Sequence, residues 1–262
     1  MQLSEQQIQQ YDEDGFVLLG QVFSETEMKA MAGAFLDDQE VPGPHRVMED
    51  DGVKVRAVYA SHLRHPVFRH VVRDSRLLDP AKQILDSDVY VYQFKINTKR
   101  PFGGESWSWH QDYIVWREVD DLPSPAALNV GIFLDEVTEF NGPLIFLPGS
   151  QKLGTIEKPK ARDEKSDVHV DPEDYSLKSS DLAELSQARH MTSPKGTAGS
   201  VVLFHPEIVH GSATNISPFS RNLLIITYNS VGNLPRHRGE PRAEYLVGRD
   251  TTPLLAVEGA VA

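Results

Sequence analysis

Short runs rich in β-branched and aromatic residues follow one another along the chain after about residue 88, separated by Gly, Pro and Asn residues that favour turns. The clearest runs are DVYVYQFKIN (88–97), LNVGIFL (128–134), PLIFLPGS (143–150), SVVLF (200–204) and NLLIITYN (222–229). Many short strands with this spacing favour a sandwich or barrel over alternating βαβ units. The sequence therefore predicts a mainly β fold with a core over about 88–230.

The first part of the chain, about 1–87, has a helical pattern. Ser4 is a candidate N-cap, and Ser24 with Glu27 has the spacing of a capping box. A length of 262 residues with 40% hydrophobic residues suits a single domain over 1–262. The charged stretch 157–181 contains few apolar residues, and two interpretations remain open for it: a solvated surface insertion or a lid over a pocket.

Composition narrows the classes of partner. A net charge of -12 argues against nucleic-acid binding, so small molecules are the expected partners. The chain contains no cysteine, which excludes disulfides, thiolate catalysis and thiolate metal sites. The N-terminus is too polar for a signal peptide, and no apolar run approaches the roughly 20 residues that cross a bilayer. We expect a cytoplasmic protein without membrane contact, and the sequence leaves open whether it is a monomer or a small homo-oligomer.

The stretch SWSWHQDYIVW (106–116) contains His110 and Asp112, two residues apart, and side chains at that spacing share one face of a strand. A third candidate ligand, His210, follows in IVHGSATN (208–215). Two histidines and one carboxylate leave open coordination positions, the arrangement of non-haem Fe(II) oxygenases.

The same His-x-acid spacing occurs twice more. His169 and Asp171 lie in the charged stretch, where no strand holds two ligands rigidly, and His205 and Glu207 flank Pro206, which interrupts strand pairing. Neither pair is the favoured metal site.

A 2-oxo acid that chelates iron leaves a distal carboxylate, for which arginine is the best partner. Arg221 stands eleven residues after His210 at the start of a predicted strand, where the intervening loop can return it beside the metal. Ser212 could donate its hydroxyl to the same carboxylate. In the run 88–97, Gln93, Lys95 and Asn97 share one face and Tyr92, Phe94 and Ile96 the other; periodicity leaves open whether the polar face meets solvent or a cavity.

Together WHQD, NGPLIFLPGS, IVHGSATN and Arg221 resemble the phytanoyl-CoA dioxygenase superfamily of Fe(II)/2-oxoglutarate-dependent oxygenases. Within it the chain is most similar to free-amino-acid hydroxylases of the proline trans-4-hydroxylase type, and more distantly to ectoine hydroxylases. The likeness covers most of the chain in several ordered segments. It implies a double-stranded β-helix, or jelly-roll, core with flanking helices, and Fe(II), 2-oxoglutarate and O2 as cofactors.

The resemblance also implies roles for residues. His110, Asp112 and His210 would bind the iron, and Arg221 would hold the distal carboxylate of 2-oxoglutarate. Ser212, Gln93, Lys95 and Asn97 would assist in binding this cosubstrate. The candidates for substrate contacts are Arg56, Trp116, Gln93 and Tyr113. For Arg56, a structural salt bridge is an equal alternative to binding the substrate carboxylate.

One segment departs from the resemblance: proline hydroxylases of this type read WAREDGM where this chain reads WREVDDL from Trp116. The expected function is hydroxylation of a free amino acid, L-proline first, to trans-4-hydroxy-L-proline. Other cyclic or aliphatic amino acids and ectoine-like solutes are alternatives, and a non-enzymatic jelly-roll that binds small molecules is the alternative from another class.

Overall fold

The computed structural model describes residues 1–49, 51–156, 175–237, 239–259 and 261. The helices are α1 (Glu5–Asp14), α2 (Glu25–Gln39), α3 (Ser61–Arg64), α4 (Pro66–Val71), α5 (Ser75–Leu85), α6 (Asp112–Asp120) and α7 (Ser179–Gln187). The strands are β1 (Phe16–Gln21), β2 (Arg46–Met48), β3 (Val55–Tyr59), β4 (Val89–Lys99), β5 (Trp107–His110), β6 (Ala127–Phe133), β7 (Leu144–Phe146), β8 (Ser200–Phe204), β9 (His210–Ser212) and β10 (Arg221–Ser230).

Both predicted N-caps are confirmed. Ser4 accepts a hydrogen bond from the backbone N–H of Gln7 at the start of α1, and Ser24 accepts one from Glu27 at the start of α2. In each case the third helical residue bonds back to the cap, which completes a capping box. These reciprocal bonds satisfy backbone N–H groups that have no partner inside the helix.

The strands form two antiparallel sheets. The larger has the order β1-β8-β6-β10-β4-β3-β2, and the smaller has the order β5-β9-β7. Helices α1, α2, α4 and α5 pack on one face of the larger sheet through a cluster that includes Phe68, Leu77 and Leu224. A second cluster, with Phe16, Phe146 and Phe204, joins strands of the two sheets. The candidate site lies at this inner side.

The predicted helical part over about 1–87 contains α1 to α5, but it also contains β1, β2 and β3, which the prediction did not include. Strand β1 pairs with β8 and β3 pairs with β4, so this part contributes directly to the larger sheet. Periodicity does not distinguish a six-residue apolar run such as FVLLGQ from a helical segment, and its assignment depends on the distant strand with which it pairs.

Strand β4 contains an irregularity that the sequence pattern does not reveal. Gln93 pairs with Thr227 while Val91 pairs with Tyr228, so Tyr92 is an extra residue on this strand. Tyr92 therefore packs with Trp116, whereas Phe94 and Ile96 belong to the helix-facing core. The expectation that Tyr92, Phe94 and Ile96 share one face is wrong for Tyr92, and the bulge is the physical reason.

Residues 157–174 of the predicted surface or lid insertion, with His169 and Asp171, lie outside the described residues. Of the remainder, Tyr175 lies at the candidate site and α7 begins at Ser179. Among the described residues, no helix has both the length and the apolar character needed to cross a bilayer.

Candidate active site

Three side chains from two strands and one helix converge between the sheets. His110, the last residue of β5, is paired in register with His210, the first residue of β9, and their ring centroids are 4.3 Å apart. Asp112 lies beside them: its Oδ1 is 3.6 Å from Nε2 of His110, and its Oδ2 is 3.8 Å from Nε2 of His210. One donor atom from each of the three lies within 4.8 Å of the others. This is the predicted ligand set.

The expected single strand through His110 and Asp112 is wrong in detail. The strand ends at His110, Gln111 is extended, and Asp112 opens helix α6. Gln111 is held by its side chain, whose amide donates to the carbonyl oxygens of Glu207 and Gly154. The carboxylate of Asp112 therefore lies at a helix N-terminus, where the helix dipole stabilises negative charge.

Both histidines present a free ring nitrogen to the site. Nδ1 of His110 lies 2.7 Å from the carbonyl oxygen of Ser108, and Nδ1 of His210 lies 3.0 Å from that of Ile208. A carbonyl oxygen only accepts, so each Nδ1 carries a proton, and in the neutral form of such an imidazole Nε2 keeps its lone pair. Burial, together with the nearby His110, lowers the pKa of His210 to about 4. A neutral imidazole is the form that binds a metal.

The carboxylate of Asp112 is ionised and oriented. Burial alone raises its pKa, but the charge of Lys95 and the two neighbouring histidines bring it well below its ordinary value. Asn129 donates to Oδ2 of Asp112 at 2.8 Å, and Thr227 in turn donates to Asn129 at 2.7 Å. Two neutral imidazoles and one oriented carboxylate fit a divalent transition metal such as Fe(II).

A second group of side chains has the chemistry of an anion site. Arg221 is buried, and its Nε and Nη2 donate to the carbonyl oxygen of Gly142. Lys99 lies opposite Arg221 in the pairing of β4 with β10, and its ammonium donates to the carbonyl oxygen of Ala213. Burial, and then the neighbouring Arg221, lowers the pKa of Lys99 to about 6. A buried guanidinium and a buried amine whose side chains, among the described residues, donate only to carbonyl oxygens favour a bound anion.

Two further polar atoms at this group point to the same conclusion. The hydroxyl of Ser212 and the side-chain oxygen of Asn97 are buried without a hydrogen-bond partner among the described residues. The backbone leaves little room here: a Cβ on Gly142 would lie 2.6 Å from the carbonyl oxygen of Ala213 and 2.8 Å from Cδ of Lys99. Arg221, Ser212 and Asn97 were predicted at the cosubstrate end. Lys99 was missed, although it continues the alternation of Gln93, Lys95 and Asn97 on β4.

A pocket opens next to the candidate metal ligands, with an empty volume of about 570 Å³ that includes its mouth. Its lining includes His110 and Asp112, together with Tyr59, Gln93, Lys95, Trp107, Val115, Trp116, Tyr175, Arg242 and Leu246. Gln93, Lys95 and Trp116 therefore lie where a substrate or cosubstrate could contact them.

Two predicted substrate residues are not in this lining. Arg56 forms ion pairs with Glu105 and Glu49, and its guanidinium stacks 4.4 Å from the ring centroid of Trp107. Its charge is therefore neutralised within the protein, which favours the structural salt bridge over a contact with the substrate carboxylate. The hydroxyl of Tyr113 donates to the carbonyl oxygen of Leu122.

Arg242 is the pocket cation that the sequence did not reveal. It follows the last strand in a segment without regular secondary structure, where no periodicity marks a functional position. The remaining His-x-acid pair is explained by packing: Nδ1 of His205 accepts from the backbone N–H of Glu207, and its ring lies 6.1 Å from that of Tyr11.

Known protein families, sequences and structures that are similar to this chain agree with the geometry of the site. A profile of the family described as Phytanoyl-CoA dioxygenase (PhyH) matches residues 11–223. The chain belongs to the phytanoyl-CoA dioxygenase family. Among curated PhyH-like relatives, it is 36% identical to an L-proline trans-4-hydroxylase of Streptomyces griseoviridis over 95% of this chain and 94% of that protein. It is 35% identical to an ectoine dioxygenase of Bordetella bronchiseptica over 94% of this chain and 83% of the relative.

A solved structure agrees with this PhyH assignment. EctD from S. alaskensis with 2-oxoglutarate and 5-hydroxyectoine superposes with a TM-score of 0.86 at 30% identity, covering 99% of this chain and 89% of that one. The same protein has been solved with bound Fe. These matches confirm the predicted family, the jelly-roll fold with flanking helices and the dioxygenase class, and they remove the non-enzymatic alternative.

Proposed function

We propose that this PhyH-family dioxygenase hydroxylates a free amino acid, with L-proline as the leading substrate and trans-4-hydroxy-L-proline as the product. One observation carries the proposal. A His–Asp–His ligand set, a buried anion site and a small pocket with a cation in its wall meet on β4, β5, β9, β10 and α6. The cofactors are Fe(II), 2-oxoglutarate and O2, and the bound iron supplies the chemistry that oxidises a C–H bond.

The residues of the chain divide the work of binding. His110, Asp112 and His210 would hold the iron, because their donor atoms are unprotonated and converge. Arg221 and Lys99 would hold the distal carboxylate of 2-oxoglutarate, to which Ser212 can donate its unpartnered hydroxyl. A carboxylate between two cations removes the cost of burying two like charges.

The pocket suits a small zwitterion. Arg242 lies in its wall, where Asp120 occupies Nε and Nη2 and leaves Nη1 for a carboxylate, the preferred partner of a guanidinium. Tyr59, Trp116 and Tyr175 supply aromatic surface that can face an ammonium group. Gln93 can hydrogen-bond to either end. A coenzyme-A thioester fits less well, because the chain carries a net charge of -12 and such a polyanion favours a basic approach surface.

The relatives support both the class and the leading substrate, since one is a proline hydroxylase and another acts on ectoine, a cyclic solute. Ectoine-like solutes and other cyclic or aliphatic amino acids are therefore the alternatives that the assay must include. A cytoplasmic location, where 2-oxoglutarate and free amino acids are available, is part of the same proposal.

The test is an activity screen on protein loaded anaerobically with Fe(II). The protein is then given air, 2-oxoglutarate and a panel of free amino acids led by L-proline, with ectoine included. Succinate and any product one oxygen atom heavier are measured, with His110→Ala as the blank. Hydroxyproline absent from the blank supports the whole proposal. Succinate with a different hydroxylated product retains the reaction and replaces the substrate, whereas no succinate with any compound contradicts the proposal.

A further inference from the structure

Arg242 depends on other residues for its place in the pocket wall. It belongs to a segment outside the helices and strands, and an arginine side chain has many rotamers to choose from. A cation that reads a substrate carboxylate must be held in one orientation, because a small displacement at the binding end moves the reacting end too.

Asp120 fixes the orientation of the Arg242 guanidinium. Its carboxylate accepts from Nε of Arg242 at 2.8 Å and from Nη2 at 2.5 Å, a two-pronged contact that fixes the plane of the guanidinium. The hydroxyl of Tyr92, at the bulge of β4, donates to Oδ2 of Asp120, the oxygen that also accepts from Nη2 of Arg242. Asp120 is fully buried, and Nη1 of Arg242 is left without a partner among the described residues. One donor therefore remains for a ligand.

Helix α6 links this contact to the metal ligands. Asp112, Trp116 and Asp120 are four residues apart and lie along one face of the helix. The rise between the first and the last is about 12 Å, or two turns and a fraction. Trp116 lines the pocket, and its ring packs edge-on against that of Tyr92 with centroids 5.2 Å apart and an interplanar angle of 74°. A single rigid helix thus carries a metal ligand, a pocket wall and the anchor of Arg242.

We propose that Asp120 is a positioning residue, assisted by Tyr92, that holds Arg242 at a fixed distance from the metal and so selects which C–H bond of the substrate is presented. This inference rests on the proposed function, in which Arg242 binds the substrate carboxylate. Asp120 itself contacts no reacting atom. Its removal loosens the carboxylate end of the substrate, and so weakens recognition and misaligns the C–H bond, while the iron and 2-oxoglutarate sites keep their own ligands.

The test compares Asp120→Asn and Tyr92→Phe with a matched control elsewhere in the fold. Asp38 forms the same two-pronged contact with Arg64, at 2.8 and 2.7 Å, between α2 and α3, and neither residue lines the pocket. Asp38→Asn therefore reproduces the loss of a buried ion pair without touching the substrate. The readouts are KM for L-proline, KM for 2-oxoglutarate, bound iron, and the ratio of hydroxylated product to succinate.

For Asp120→Asn we expect KM for L-proline to rise about 10-fold or more, because one partner of a buried charged pair is lost. The ratio of product to succinate should fall, and KM for 2-oxoglutarate and bound iron should stay unchanged. Tyr92→Phe should shift the same quantities in the same direction by a smaller factor. Asp120→Asn should also discriminate less between L-proline and L-prolinamide, which lacks the carboxylate. Asp38→Asn should change none of these readouts, whatever it does to thermal stability.

If Asp120→Asn behaves like Asp38→Asn, then the positioning role is overturned. In that case KM for L-proline, the ratio of product to succinate and the discrimination against L-prolinamide would all equal those of the wild type. The proposed role of Arg242 fails separately if Arg242→Gln keeps the wild-type KM for L-proline. A measurement without any substrate completes the test: a crystal structure of Asp120→Asn should show the guanidinium of Arg242 displaced from the pocket wall. An unmoved Arg242 in that structure also overturns the inference.

Discussion

The imidazoles of His110 and His210 each direct Nδ1 to the carbonyl oxygen of the residue two positions earlier, which leaves both Nε2 atoms unprotonated and facing Asp112. His205 makes a superficially similar contact, but its Nδ1 accepts from the backbone N–H of Glu207. Backbone contacts of opposite sense therefore distinguish the candidate ligands from a histidine of the same sequence pattern.

This difference gives a prediction for metal binding. We expect His210→Ala to lose bound iron and all coupled turnover, since two ligands hold the metal less tightly than three. His205→Gln, which removes a buried non-ligand histidine, should retain iron near one per chain. Iron content after anaerobic loading and desalting is the measurement. A His210→Ala protein that keeps as much iron as the wild type contradicts the ligand assignment.

Single residues also show what the sequence could predict. His110, Asp112, His210 and Arg221 could be proposed from the sequence because metal and carboxylate chemistry constrains both residue type and spacing. The ion pairs of Arg56 with Glu49 and Glu105 could not be identified from the sequence, because these partners are not its neighbours along the chain. No pattern in the sequence around Arg242 marked it as a functional residue.

At the level of elements, helix starts were predictable and strand faces were only partly so. Capping boxes are local, so Ser4 and Ser24 could be read directly from the sequence. The bulge at Tyr92 depends on how β4 pairs with β10, and therefore could not be predicted from the sequence of β4 alone.

The segment WREVDDL, which departs from the WAREDGM of the proline hydroxylases that the chain resembles, forms the end of α6. Asp121 ends this helix in the left-handed region with φ 54°, at the position where WAREDGM has glycine.

The cap of α2 gives a prediction at this scale. Ser24→Ala should lower the free energy of unfolding by about 1 kcal/mol, because the backbone N–H of Glu27 loses its acceptor. Ser24→Gly should cost only a few tenths of a kcal/mol, since water can reach the freed N–H. Urea unfolding of the three proteins measures both values. Equal losses for the two variants would contradict the replacement of the hydroxyl by water, and an unchanged stability of Ser24→Ala would show that the hydroxyl is not the stabilising group.

The whole molecule combines a large negative charge with several buried groups of unusual pKa. Burial lowers the pKa of His62 and of His205 to about 4. His62 packs on Phe94, with ring centroids 5.0 Å apart, and its Nδ1 is buried without a hydrogen-bond partner among the described residues. Neither histidine is a candidate metal ligand, so their titration belongs to the stability of the fold.

We therefore expect the protein to lose stability on mild acidification. As pH falls below about 6.5, the unfolded chain binds protons at these histidines while the folded protein does not, until pH reaches about 4. The loss is at most about 1.4 kcal/mol per pH unit for each histidine. Urea unfolding of metal-free protein between pH 7.5 and 4.5 should show it. His62→Phe should reduce the slope, and an unchanged slope in this variant would contradict the assignment.

The lowered pKa of Lys99 should link the binding of 2-oxoglutarate to the pH of the surrounding solution. With its pKa held near 6, this side chain is largely neutral above neutral pH, and a carboxylate beside it favours the charged form. Binding of 2-oxoglutarate should therefore draw close to one proton from solution at pH 7.5. Titration calorimetry in buffers of different ionisation enthalpy should give apparent enthalpies that differ, and Lys99→Met should make them equal. Equal enthalpies in the wild type would contradict the coupling. Affinity for 2-oxoglutarate then declines as the surroundings become alkaline, which makes the enzyme responsive to the acid–base state of the solution around it.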